Sequence, residues 1–172
     1  MENTMQDLKL IRISARAIPA ALDKARQYRS LLEPEQAESI CLDILAVDPD
    51  HHEAQRILIL ALTDQFSHSG QMLDAKRVLK LVDALPNEYE RLYYRGLVSE
   101  RRGRAMLNES MSRSFTWEYF REAMEAYAQA QPLSPAGNDD AILRWNACLR
   151  TVRSQRLAPR ADRDERHPDM EC

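Results

Sequence analysis

Ala25, Tyr28, Ala37, Cys41 and Pro49 fall at steps of 3, 9, 4 and 8 residues, and two later stretches repeat the pattern with small departures. Ala75, Leu79 and Pro86 carry the end of the second copy; Gly96, Ala123, Tyr127 and Pro135 carry the third. Each copy reads as two short amphipathic helices closed by a proline. Such a unit cannot bury its apolar side alone, so copies must stack. The usual product of a stack is a grooved surface rather than an enclosed catalytic pocket. This one regularity predicts an all-α chain built to bind.

Composition agrees with it. Only 4 of the 172 residues are glycine and 44 % are apolar, with few of the β-branched and aromatic runs that strands favour. The formal net charge of −3 makes no bulk argument for nucleic acid. The charges are unevenly placed, however. Residues 32–90 carry 12 acidic and 4 basic side chains, whereas residues 95–113 carry 5 Arg and 2 Glu. Cys41, Cys148 and Cys172 are far apart in the chain, which suggests neither a zinc knuckle nor a disulfide framework. The first residues have no apolar signal core, and no run of about 18 apolar residues occurs. A soluble cytoplasmic protein with no membrane partner is the expectation.

Read along the chain, residues 1–17 form an arm or a short leading helix, 18–153 a helical repeat domain, and 154–172 a charged tail expected to be disordered. Pro19 suits the first turn of a helix. Leu22, Ala25, Tyr28, Leu31 and Leu32 make its apolar stripe, and Glu33-Pro34 starts the next helix. Asp48-Pro49 ends the second helix. Asp50 is expected to cap the third, with Glu53 as its capping-box partner. Residues 67–70 read as a turn. Asn87 is expected to cap a fifth helix that runs past Arg104. The stretch Arg101–Thr116 reads as an insertion before a sixth helix from about Trp117. Asn138-Asp139 caps a last helix through Trp145 and Val152.

These residues resemble the tetratricopeptide repeat family, whose consensus W-x2-L-G-x2-Y, A-x3-F, P spans about 34 residues. In the first copy Ala25 stands at the family's Gly, Tyr28 at its Tyr, Ala37 at its Ala, Cys41 at its Phe and Pro49 at its Pro. Lys24 departs from the Leu slot. Leu58, Ile59 and Leu62 take the Leu-Gly-Tyr slots of the second copy. Trp145, Cys148, Leu149 and Val152 resemble the first helix of a fourth copy without its mate. The resemblance covers roughly residues 18–153. It implies an α-α superhelix, or solenoid, of about three helical hairpins plus a closing helix.

It also implies that the first helix of each pair lines a concave groove. Arg26 and Arg29 would come from the first copy, beside Leu22 and Asp23. Arg56 and Leu60 would come from the second, beside Ile57 and Asp64, and Tyr93, Tyr94, Leu97 and Arg101 from the third. An apolar and aromatic floor edged by arginines suits a peptide or protein with acidic and apolar side chains. Some members of the family clamp a chaperone's terminal carboxylate. Of the matching positions Leu22, Arg26, Ile57, Glu90 and Tyr94, only Arg26 suits that role.

Catalytic motifs are lacking. His51 and His52 are adjacent and diverge on a helix, and no H-E-x-x-H, P-loop, G-x-S-x-G or C-x-x-C motif occurs. Cys41 falls on a core-facing stripe. The expectation is a protein-interaction module (adaptor, assembly factor or dedicated chaperone) without enzymatic activity, cofactor or metal. Two alternatives stand beside it. One is a secretion-type chaperone for an exported client. The other is a nucleic-acid-associated repeat acting through Arg101, Arg102 and Arg104, although nucleic acid is the less favoured partner. Self-association is a further expectation, because an open end of a stack exposes apolar surface.

Overall fold

The computed structural model describes residues 8–67, 72–107 and 113–159. Among these residues it is all-helical: α1 (Ile18–Ser30), α2 (Pro34–Val47), α3 (His52–Asp64), α4 (Met72–Asp83), α5 (Glu88–Leu107), α6 (Arg113–Ala130) and α7 (Asp140–Ser154). Each helix packs against its neighbours in sequence. The pair α1–α2 therefore lies at one end of the series and α6–α7 at the other.

The helix boundaries follow local chemistry. Pro19 and Pro34 occupy the first turns of α1 and α2, where a missing N–H costs nothing. Asp48 is extended at φ −132°, ψ 90°, as a residue before proline prefers, and α2 stops there. α1 closes on Leu32 at φ 62°, with the Glu33 N–H donating to the Tyr28 carbonyl at 2.9 Å. Asn87 Oδ1 accepts the Glu90 N–H at 3.2 Å and so caps α5.

Several expectations need correction. α3 is capped not by Asp50 but by His51, whose Nδ1 accepts the Ala54 N–H at 3.3 Å. Glu53 is committed instead to Arg26. α6 starts at Arg113, four residues before Trp117, so most of the supposed insertion is helix. Residues 108–112 lie outside the described residues. The arm is a non-helical stretch over 8–14 followed by one 3-10 turn, Ala15–Ala17. The tail is not wholly separate from the fold. Leu157 is buried against the core, and Arg113 donates to the Gln155 carbonyl. The rest of the tail, from 160 onward, and residues 68–70 of the expected turn lie outside the described residues.

Two apolar clusters share α5. The first joins α1 to α5 around Ala25, Ala37, Cys41, Ile44, Leu58 and Leu97. The second joins α5 to α7 around Phe120, Ala123, Tyr127 and Cys148, and Tyr93 packs against both. Small residues set how closely the helices approach. At Gly96 an added Cβ would stand 2.8 Å from Cε1 of Tyr127. This physical need for glycine coincides with the position singled out in the sequence.

A Gly96→Ala substitution separates two effects. Alanine gains up to about 1 kcal/mol in helix propensity over glycine. Overpacking against a buried ring costs about 1–3 kcal/mol, and Tyr127 is 1 % exposed and cannot swing aside. A net loss of stability is expected in urea denaturation. Gly103→Ala meets Phe120 at the longer distance of 3.1 Å and is expected to be close to neutral.

Candidate functional site

Arg26, Arg29, Arg56 and Arg101 come together on a face shared by α1, α3 and α5. Each is held there by a carboxylate on a neighbouring first helix. Arg26 pairs with Glu53 of α3 and with Asp23 of its own helix. Arg56 Nη1 donates to Glu90 of α5 at 2.7 Å. Asp64 is the node of the set: Oδ2 accepts from Arg29 Nε at 2.7 Å and Oδ1 from Arg101 Nη1 at 2.5 Å. One carboxylate thus ties α1 to α5 across α3.

The spacing of these pairs has a sequence signal. Arg56 and Glu90 are 34 residues apart, Arg29 and Asp64 are 35, and Arg101 and Asp64 are 37. The first two lie close to the period of about 34 residues that the sequence pattern suggests, whereas Arg101–Asp64 and Arg26–Glu53, at 27 residues, do not. Of the acidic partners, Asp23 and Asp64 were expected on the face, Glu90 only as a position matching the carboxylate clamp, and Glu53 only as a helix-cap partner.

The apolar floor is thinner than expected. Leu97 has no exposed surface and Tyr94 retains 9 %, so both belong to the core rather than to a groove lining. Leu22 and Ile57 are likewise buried. Burial pushes the Tyr94 hydroxyl up to about 12. Leu60 is half-buried. Tyr93 turns toward α6, stacking with Tyr89 and meeting the ring of Tyr127 at 5.8 Å between centroids. The accessible part of the face is therefore chiefly ionic, with Arg26 46 % and Arg56 36 % exposed.

The remaining arginines of the supposed insertion are also engaged. Arg102 donates to the Tyr119 hydroxyl at 2.6 Å and lies over its ring at 4.3 Å. Arg104 donates to Glu100 at 2.9 Å. Glu100 is fully buried and also accepts from the Tyr127 hydroxyl at 2.8 Å and from Arg144 of α7 at 3.5 Å. Nothing in the sequence pattern marks this carboxylate, since a lone Glu in a helix ordinarily faces water.

No family model matches the chain, and no curated protein or solved structure matches it either. The functional reading rests on the chain's own residues.

Among the described residues, neither cysteine is set up as a nucleophile. Burial raises the Cys41 thiol to about 12 and, with the charge of Glu100 added, the Cys148 thiol to about 12. A thiol held that high is not the thiolate that attacks substrates. His51 is used as a cap, and His52 lies beside Gln55. Among the described residues no group of three His, Cys, Asp or Glu is placed to hold a metal ion, and no helix is long and apolar enough to cross a membrane.

Proposed function

We propose that this chain is a tetratricopeptide-like helical-repeat module that holds a peptide or protein partner across the α1–α3–α5 face, as an adaptor, assembly factor or dedicated chaperone does. The observation that carries the reading is the row of ion pairs that links α1, α3 and α5. The Arg26 pairs are half-exposed and contribute only about 0–1 kcal/mol each to stability, whereas Asp64, Arg29, Arg101 and Glu90 are more deeply set. The half-exposed charges of the face are therefore poorly explained by folding alone. They are better suited to exchange. An incoming carboxylate takes the place of Glu53 or Glu90 on its arginine, and the released acid meets a cation of the partner. The face carries Arg26, Arg29, Arg56 and Arg101 against Asp23, Glu53, Asp64 and Glu90. It therefore selects by the order of charges rather than by net sign, and Leu60 offers an apolar contact between them.

The expectation of a partner with acidic and apolar side chains is accordingly narrowed to one of alternating charge. The nucleic-acid alternative gains no support, because Arg101, Arg102 and Arg104 all have partners within the chain. The test begins with affinity capture of a partner from native lysate of the source cell. Hydrogen exchange on the purified complex is expected to show added protection in α1, α3 and α5. Protection confined to α2, α4 and α6 would move the site to the opposite side and overturn the proposal.

A further inference from the structure

Among the described residues, exposed large apolar side chains gather at the two ends of the helix series. At one end Leu10 is 95 % exposed, Ile11 90 % and Leu42 of α2 43 %. At the other, Phe115 of α6 is 57 % exposed and Leu143 of α7 63 %. No large apolar residue of α3 or α5 is exposed. Isolated exposed leucines need no explanation, but their segregation to both termini of a stack does. In a repeat array the end units are the ones whose stacking faces lack a neighbour.

Each end also holds a hollow. The arm and α2 enclose about 230 Å³ lined by Leu10, Ile11, Leu42 and Ala46, with Asp43 and Arg12 at its edge. α6 and α7 enclose about 400 Å³, lined by Tyr127, Ala141, Ile142 and Trp145 among others. α7 is the last helix among the described residues, and this larger hollow lies between it and α6.

The charges around α2 and along α7 after Asp140 are opposite. Residues 30–55 carry seven carboxylates and no Lys or Arg, whereas residues 141–159 carry four arginines and no carboxylate. Glu35, Asp43 and Asp50 of the first set and Arg150, Arg153 and Arg156 of the second have no ion pair among the described residues. They differ in this from the charges of the α1–α3–α5 face, which are paired.

We propose that the chain associates end to end, the acidic α2 end of one copy seating on the arginines of α7 of the next, with Leu42 directed to the α6–α7 hollow. The two surfaces differ, so the contact is heterologous: each copy keeps one free end of each kind, and association continues with concentration unless a ring closes. Apolar contact supplies the attraction, and the opposed charges set orientation and exclude α2–α2 and α7–α7 pairing. This inference does not rest on the partner face, which remains open along the array.

Analytical ultracentrifugation of the purified full chain tests it. The weight-average mass is expected to rise beyond that of a monomer with concentration, and to fall back in high salt as the charges are screened. Two variants, altered only at exposed or half-exposed positions, carry the decisive comparison. Leu42→Arg/Asp43→Arg blocks the α2 end, and Leu143→Asp/Arg150→Glu blocks the α7 end. Each alone is expected to remain monomeric, with association weakened well over tenfold and helicity unchanged by circular dichroism. Mixed in equal amounts, they are expected to associate again, since each supplies the end the other lacks. A monomeric wild type at every concentration would overturn the proposal. So would a dimer abolished by the α7 variant but unaffected by the α2 variant, the mark of a symmetric α7–α7 contact. Failure of the mixed variants to associate would overturn it as well.

Discussion

Replacing Glu100 with Ala is expected to lower the unfolding free energy by about 3–5 kcal/mol, the cost of removing one partner from a buried ionic cluster. Glu100 has no exposed surface, and it is the acceptor for the Tyr127 hydroxyl, for Arg104 and for Arg144. The two arginines are 40 % and 35 % exposed and can turn to water. The Tyr127 hydroxyl is buried and cannot. The variant therefore leaves an orphaned donor in the core and a cavity beside Cys148. With total stabilities of about 5–15 kcal/mol, such a loss brings the chain close to unfolding at body temperature. Glu100→Gln retains an acceptor for Tyr127 and is expected to fall between wild type and Ala. Urea denaturation decides. A loss below about 1 kcal/mol for Glu100→Ala would mean the cluster behaves as an ordinary surface ion pair.

A second large effect is expected in alkali. The thiols of Cys41 and Cys148 and the hydroxyl of Tyr94 are each pushed up to about 12, and that of Tyr127 is raised further by burial and by the charge of Glu100. A raised value means that the native state holds its proton more tightly than the unfolded chain does. Stability from these groups is complete below their unfolded values, near 9 for the thiols and 10 for the tyrosines. It is lost as pH rises from there toward 12, by up to about 1.4 kcal/mol per pH unit for each group. With two thiols and two hydroxyls acting together, several kcal/mol are expected to disappear between pH 9 and pH 11. Urea midpoints across that range measure it. In a Cys41→Ala/Cys148→Ala variant the early part of the decline should flatten. A flat profile for wild type would show that these side chains reach solvent far more readily than their burial implies.

The helices were legible because their breakers are chemical. Pro19, Pro34 and Pro49 each sit at a boundary the structure confirms, and Asn87 caps α5 as its side chain predicts. The start of α6 was not legible. The polar run before Trp117 offers no apolar stripe, and the first turn of the helix is held by tertiary contact, including burial of Thr116. The cap of α3 was misassigned because Glu53, the residue that would have completed a capping box, has a stronger partner 27 residues away in Arg26.

The site was legible in a different proportion. The four arginines pair with carboxylates of α3 and α5, whereas Tyr94 and Leu97 are buried. α5 is flanked by helices on more than one side, so its apolar residues fall under neighbours on both the floor and the core directions. Sequence periodicity identifies such residues as apolar and cannot apportion them. Glu100 escaped notice altogether, since its burial depends on Tyr127 and Arg144, 27 and 44 residues further along the chain.

The most direct test of the partner face exchanges its charges without removing its ion pairs. Asp23→Arg/Arg26→Glu/Glu53→Arg and Arg56→Glu/Glu90→Arg, combined in one chain, keep an acid and a base at each contact and reverse the order in which the face presents them. Stability is expected to change by less than about 1 kcal/mol, because exposed pairs contribute little and are preserved. Affinity for the captured partner, measured by calorimetry, is expected to fall at least about tenfold, since like charges then meet across the interface. Full affinity in the folded, charge-exchanged chain would contradict the account and place partner recognition away from α1, α3 and α5.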